Sequence, residues 1–241
     1  MPVKTYHDGT LGGLLASMDR AGISRAIMCG VATRPTQVRK ITDWCASVAS
    51  ERIIPFPSIH PDYERIEEEI ERIAGLGMRG LKFHPQYMQC AADDPRTIRI
   101  AKAAAKAGLA MEFHAGYDLA FAKDELASPR QIRDLHEKVP DLRLLACHLG
   151  GWERWQEALE HLAGQEIYLE TSFTLGQCPE DLQLRIIEKH PHQYLLFGTD
   201  APWADQSEEL AAFVRLKIPP ELRDQALWAN GHRFAGIQCP A

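Results

Sequence analysis

Short apolar runs recur along this chain, and each is followed by a segment whose apolar positions lie three or four apart. The runs read as strands buried on both faces, and the spaced segments as amphipathic helices packed over them. The first predicted helix spans Leu11 to Arg20, with Thr10 as N-cap, Leu11, Leu14, Leu15 and Met18 as its stripe and Gly22 ending it. A strand follows at Arg25–Gly30, a helix holding Val38, Ile41 and Trp44, and a strand at Ile53–Ser58. Pro61 is predicted to open the next helix as a first-turn proline, and Glu64 to Glu71 to form its solvated face. The remaining strands are predicted at Gly80–His84, Leu109–His114, Leu144–His148, Ile167–Ser172 and Leu195–Asp200. Pro95, Ser128-Pro129 and Pro179 start helices between them, another helix holds Trp152 and Trp155, and two helical segments close the chain near Trp228–Asn230. Two longer connections, Gln86–Asp94 and Ala115–Ala127, follow the strands that end at His84 and His114.

Strict strand–helix alternation predicts a parallel sheet covered by helices. A doubly wound open sheet is the competitor, but no GxGxxG or GxxxxGK[ST] turn is present. The expected fold is therefore α/β of the (β/α)8 TIM-barrel type, as one domain over residues 1–241. Seven strands are visible where a barrel needs eight, and the chain opens on a helix, so the barrel is expected to be incomplete and to lack its first strand.

Composition narrows the function. A formal charge of −6 argues against a nucleic-acid or anionic-membrane surface. No apolar run approaches the ~20 residues needed to span a bilayer, and Met1-Pro2-Val3-Lys4 leads into polar residues without the look of a signal peptide. The six cysteines, Cys29, Cys45, Cys90, Cys147, Cys178 and Cys239, form no CxxC pair and read as reduced thiols of a cytoplasmic protein.

Candidate chemistry sits where the strands stop. His84, His114, His148 and Asp200 each end a predicted strand, and such ends converge on one face of a parallel barrel. By alternation, Lys82 shares the inward face with His84, and Glu112 with His114. Glu170 and Ser172 end a further strand and line the same pocket. A carbonyl-bound histidine, a capping aspartate or a solvated lysine would account for any one position alone. Three histidines at separate strand ends together with an aspartate favour a shared site. His7, His136, His161, His190, His192 and His232 fall on helices, loops or surface-like segments and are read as structural or solvated, with His60 at the rim.

Leu14–Ile23 (LLASMDRAGI), GLKFHP at Gly80, FHAG at Phe113, CHLGG at Cys147, LFGTDAPW at Leu196 and NGHRFAG at Asn230 together resemble the amidohydrolase-related metal-dependent hydrolases. That branch also contains the aminocarboxymuconate-semialdehyde decarboxylases. The resemblance implies a distorted barrel with one divalent metal, usually zinc. By match, His114 and Asp200 are metal ligands, and His148 assists catalysis beside the metal. The implied activity is hydrolysis of a small amide, ester or lactone by a metal-activated water. Asp200 would take the water's proton, His148 would polarise the carbonyl, and His84, Lys82 and Ser172 would shape the substrate pocket. A non-oxidative decarboxylase on the same site is the alternative, and an inactive or truncated barrel remnant is a second.

The sequence departs from the family in one respect. Its ligand pair His-x-His, at the end of the first strand, occurs nowhere here, and Val3–Thr10 resembles the segment just after that strand. Either the start lies upstream or the strand is lost. Two ligands are too few for a tight zinc site, which leaves His148 or His84 to complete it. The strands near Ile27 and Phe197 are expected to show unpaired edges unless another segment or a second copy of the chain covers them. The partner expected is a small-molecule substrate.

Overall fold

A computed structural model of the protein describes residues 4–239. Met1-Pro2-Val3, read above as leading into polar residues without the look of a signal peptide, lies outside the described residues. The order is α1 (Leu11–Ala21), β1 (Ala26–Cys29), α2 (Val38–Val48), β2 (Ile53–Phe56), α3 (Ile66–Gly75), β3 (Gly80–Phe83), α4 (Pro85–Met88), α5 (Pro95–Lys106), β4 (Ala110–Phe113) and α6 (Pro129–Lys138). It continues with β5 (Leu144–Ala146), α7 (Trp155–His161), β6 (Tyr168–Glu170), α8 (Glu180–Lys189), β7 (Leu195–Leu196), α9 (Gln206–Arg215), α10 (Pro220–Asp224) and α11 (Asn230–Ala235). Seven strands alternate with helices among the described residues, as the sequence pattern predicts. Among the described residues no helix is long and apolar enough to cross a membrane.

All strand pairs are parallel. β1 pairs with β2, and β3 to β7 pair in chain order. The Lys82 amide donates to the Pro57 carbonyl at 2.8 Å and ties the two sheets into one curved wall. β3 is buried at every position, whereas every residue of β1 is only half-buried. The difference marks an opening: β1 has no described strand on its outer side, as expected from the missing first strand. The other edge is covered. The Phe197 amide donates to Ala226, and the Asn230 side chain donates to the His192 and Leu195 carbonyls at 2.8 Å each. Across the gap Arg25 meets the His232 ring at 2.9 Å and lies over Trp228. His232, expected to be structural or solvated, is thus part of the closure between the first and last elements.

Several predicted boundaries shift for local reasons. Thr10 caps α1 by accepting from the Gly13 amide, and Gly22 ends it in a left-handed conformation, as predicted. Pro61 does not open a helix. Residues 60–63 form a turn, and α3 starts at Ile66, where Glu67, Glu68 and Glu69 occupy the positive end of the helix dipole. Trp152 precedes α7 and does not lie within it, because it bridges to Gly116. β5, β6 and β7 stop two to four residues before His148, Ser172 and Asp200, so these side chains sit on the loops leaving the strands.

Candidate metal centre and pocket

A cavity of about 950 Å3 opens at the carboxyl ends of the strands and runs down past β1 towards Trp228 and His232. Lys82, His84, Glu112, His114, His148, Ser172 and Asp200 all line it. The residues that the sequence placed at strand ends therefore do share one space.

Lys82 and Glu112 form its floor. Alternation on neighbouring strands β3 and β4, paired in register, turns both inward, and Lys82 Nζ lies 2.8 Å from Glu112 Oε1. Burial opposes the Lys82 charge, but its acidic neighbours outweigh it and the ammonium titrates well above its usual value. Burial likewise opposes the Glu112 carboxylate, and Lys82 restores it. The Cys29 and Cys147 thiols point at the same Glu112 oxygen at 3.2 and 3.3 Å, and burial keeps both protonated. Lys82 is thus a neutralised ion-pair member and not a free cation.

The histidines stand above the floor. The His84 and His114 rings stack at 4.3 Å with 8° between their planes. His114 Nδ1 meets His148 Nε2 at 3.1 Å, and His148 Nδ1 meets the Ser172 carbonyl at 3.0 Å. Ser172 donates its hydroxyl to Glu170 at 2.7 Å, and Glu170 accepts from the amides of His148 and Ser172. Ser172 and Glu170 therefore hold His148 in place, and the serine hydroxyl is already engaged. His148 and Leu149 both adopt positive φ, at 59° and 53°, which turns the chain sharply enough to aim the ring inward. Burial, then the neighbouring histidines and Lys82, hold His114 well below its usual value, so it is neutral. His84 is lowered by burial against the pull of Asp118.

Asp118 was not singled out from sequence. It lies in the long connection after β4, where no periodicity marks a residue as inward. The backbone before it is fixed: Tyr117 donates to the Trp152 carbonyl at 3.0 Å, Trp152 donates to Ala115 at 2.8 Å, and Gln86 Nε2 donates to Gly116 at 3.0 Å. Gly116 sits at φ +86°, and a Cβ there would collide with the Trp152 backbone. Asp118 Oδ1 accepts from the Ala120 amide at 2.7 Å. Its Oδ2 faces His84 Nε2 at 3.3 Å and His114 Nε2 at 3.9 Å. Burial would raise this carboxyl, but the hydrogen bonds from His84 and the Ala120 amide and the nearby imidazoles together outweigh it and lower it.

His84, His114 and Asp118 offer three ligand atoms within 4.8 Å of one another. Two imidazoles and a carboxylate are a donor set that suits zinc or manganese. Asp200, the ligand implied by resemblance, stands outside this group. It follows β7 at φ 54°, and its side chain is exposed to the cavity. The enclosing wall still strips much of its hydration: burial, opposed by His148 and Lys82, pushes its carboxyl up to about 6.

The amidohydrolase family model matches residues 4–237, nearly the whole chain. The chain belongs to the amidohydrolase family. No curated protein matches it in sequence. Solved structures with the same fold include the 5-carboxyvanillate decarboxylase of Sphingomonas paucimobilis, at TM-score 0.74 and 18% identity over 95% of this chain and 84% of that one. The 2,6-dihydroxybenzoate decarboxylase of Rhizobium superposes at 0.71 with 15% identity, covering 94% of this amidohydrolase and 88% of its own chain. The 5-carboxyvanillate decarboxylase of Novosphingobium aromaticivorans, solved with manganese and a nitrobenzoic acid ligand, gives 0.73 with 15% identity over 93% and 79%. These likenesses show the barrel fold.

Proposed function

We propose that this amidohydrolase is a metal-dependent, non-oxidative decarboxylase of a small carboxylated aromatic or muconate-like acid. The observation that carries the reading is Asp200: a carboxyl group facing the cavity that keeps its proton to about pH 6. Decarboxylation needs such a donor, because the carbon that loses carbon dioxide must receive a proton. The decarboxylases among the fold relatives support the same choice.

A divalent cation held by His84, His114 and Asp118 would neutralise the anionic oxygens of the acid and draw electron density from its ring or chain. The protein does the rest. His148, fixed by Ser172 and Glu170, holds the His114 ring in place at the cavity wall. The bond between carbon and carboxylate breaks and its electron pair stays on carbon. Asp200 delivers its proton to that carbon, carbon dioxide leaves, and a proton from water re-protonates Asp200. The sum is one carboxylate and one proton converted to one C–H bond and carbon dioxide. Hydrolysis, the reading expected first from sequence, would use Asp200 as the base for a water; no observation favours it over the donor role.

The test is turnover of hydroxylated benzoates and unsaturated dicarboxylates in deuterium oxide, followed by NMR. One deuterium at the carbon that lost its carboxylate is expected. Release of alcohol or amine from esters, lactones or amides without carbon dioxide would overturn the reading.

A further inference from the structure

We propose that the lower half of the cavity is a second ligand site. It takes a medium-chain carboxylic acid, with the carboxylate on Arg25 and the alkyl tail lying along β1. The site is separate from the metal centre and independent of the reaction run there.

The shape of the cavity is the first observation. Its volume of about 950 Å3 is at the upper end of the roughly 300–1,000 Å3 usual for small-molecule sites. A one-ring acid at the metal centre does not extend into the lower reach. That reach is walled by Ile27, Ile54, Leu145, Leu196 and Leu227, all apolar. Cys29 stands at the level of the Glu112 carboxylate, and Arg25 at the foot. A strand rises about 3.3 Å per residue, so ~13 Å separate the two levels. A bore of that length suits an extended alkyl chain.

Arg25 supplies the polar end. His232 Nδ1 stands 2.9 Å from the Trp228 carbonyl, which only accepts, so the ring donates there and its Nε2 accepts from Arg25 Nη1 at 2.9 Å. The guanidinium also lies over the Trp228 ring, 5.8 Å from its centre. Among the described residues the bond to His232 is its sole hydrogen bond, and no carboxylate pairs with it. A guanidinium carries five N–H donors in a planar fork, so the rest are available to hold a carboxylate bidentately. A half-buried cation at the foot of an apolar bore complements an anion that brings its own apolar tail.

The facing wall favours an alkyl chain over a peptide strand. A strand in the gap would find ladder partners on β1 alone. Across the gap the Phe197 amide is bonded to Ala226, and the Leu195 carbonyl to the Asn230 side chain. An alkyl tail needs no hydrogen bond from either wall.

The experiment titrates the full chain calorimetrically with decanoate, with decanol, and with the acids from hexanoate to dodecanoate. One decanoate per chain is expected. Affinity should rise about fourfold per added methylene until the bore is filled, and then level off. Arg25→Met should weaken decanoate by about tenfold or more and decanol little. That ratio, read within one variant, holds even if the variant is less stable than the parent. Gly231→Leu should weaken both ligands. Gly231 lines the bore from α11, and a Cβ there meets only Leu196 Cδ2, at 3.9 Å, so the leucine enters the bore without a clash. Four results would each overturn the proposal. They are no decanoate binding, equal loss of decanoate and decanol in Arg25→Met, and unchanged decanoate affinity in Arg25→Met, which puts the carboxylate at the metal centre. The fourth is a valine–threonine repeat peptide that binds in the gap and that decanoate fails to displace.

Discussion

Lys82 and Glu112 put opposite charges 2.8 Å apart under a layer of histidines, with two thiols as their nearest neighbours. Removing one partner strands the other in a poorly solvated place. Lys82→Met should therefore cost about 3–5 kcal/mol in urea denaturation, and Lys82→Met combined with Glu112→Leu should recover most of it. Asp200 gives a prediction about rate. As proton donor it must be protonated, so kcat should fall as pH rises through about 6. A hydrolytic base at the same place would give the opposite limb, with kcat falling as pH drops below that point. Glu209 gives one about stability. Burial, then Glu170 and Asp200, push its carboxyl from 4.5 up to about 8, and its Oε2 has no partner among the described residues. A raised folded-state pKa stabilises below the unfolded value and loses that contribution as pH climbs from 4.5 to about 8. Melting temperature should decline across that window in the parent and be flatter in Glu209→Gln. The histidines and Asp200 were legible in sequence because strand ends are marked by the apolar runs before them. Asp118 was not, because its place depends on backbone contacts with Trp152, 34 positions away by their numbering.

At the scale of elements, the segment that carries Asp118 hangs on Gly116. Its left-handed backbone and the approach of Trp152 leave no room for a side chain. Gly116→Ala should destabilise the protein by about 1–3 kcal/mol or more, as a strained backbone position does, and should weaken metal binding by displacing Asp118. Denaturation and ion titration on one sample check both. The helix starts at Thr10, Pro95 and Ser128 were legible because their capping groups are local: Thr10 accepts from Gly13, Asp94 accepts from Arg96, and Ser128 and Gln131 cap one another. β7 was overestimated because its apolar run continues to Phe197, whose amide bonds to Ala226 and not to a neighbouring strand.

Over the whole molecule, alternation of strand and helix made the seven-stranded parallel wall legible. How the wall is closed was not legible, since Ala226, Asn230 and His232 reach strands or strand flanks far from them in sequence. The opening beside β1 has a consequence for isotope exchange. In a parallel ladder alternate amides face opposite neighbours. Ala26 and Gly30 donate to Arg52 and Phe56 on the β2 side, so Met28 faces that side too, while Ile27 and Cys29 face the gap. Deuterium should therefore enter Ile27 and Cys29 orders of magnitude faster than Met28 between them, an every-other-residue pattern within one strand. Equal protection of all three would mean that another strand lies in the gap, and an added peptide that seats there should slow exchange at those two positions alone.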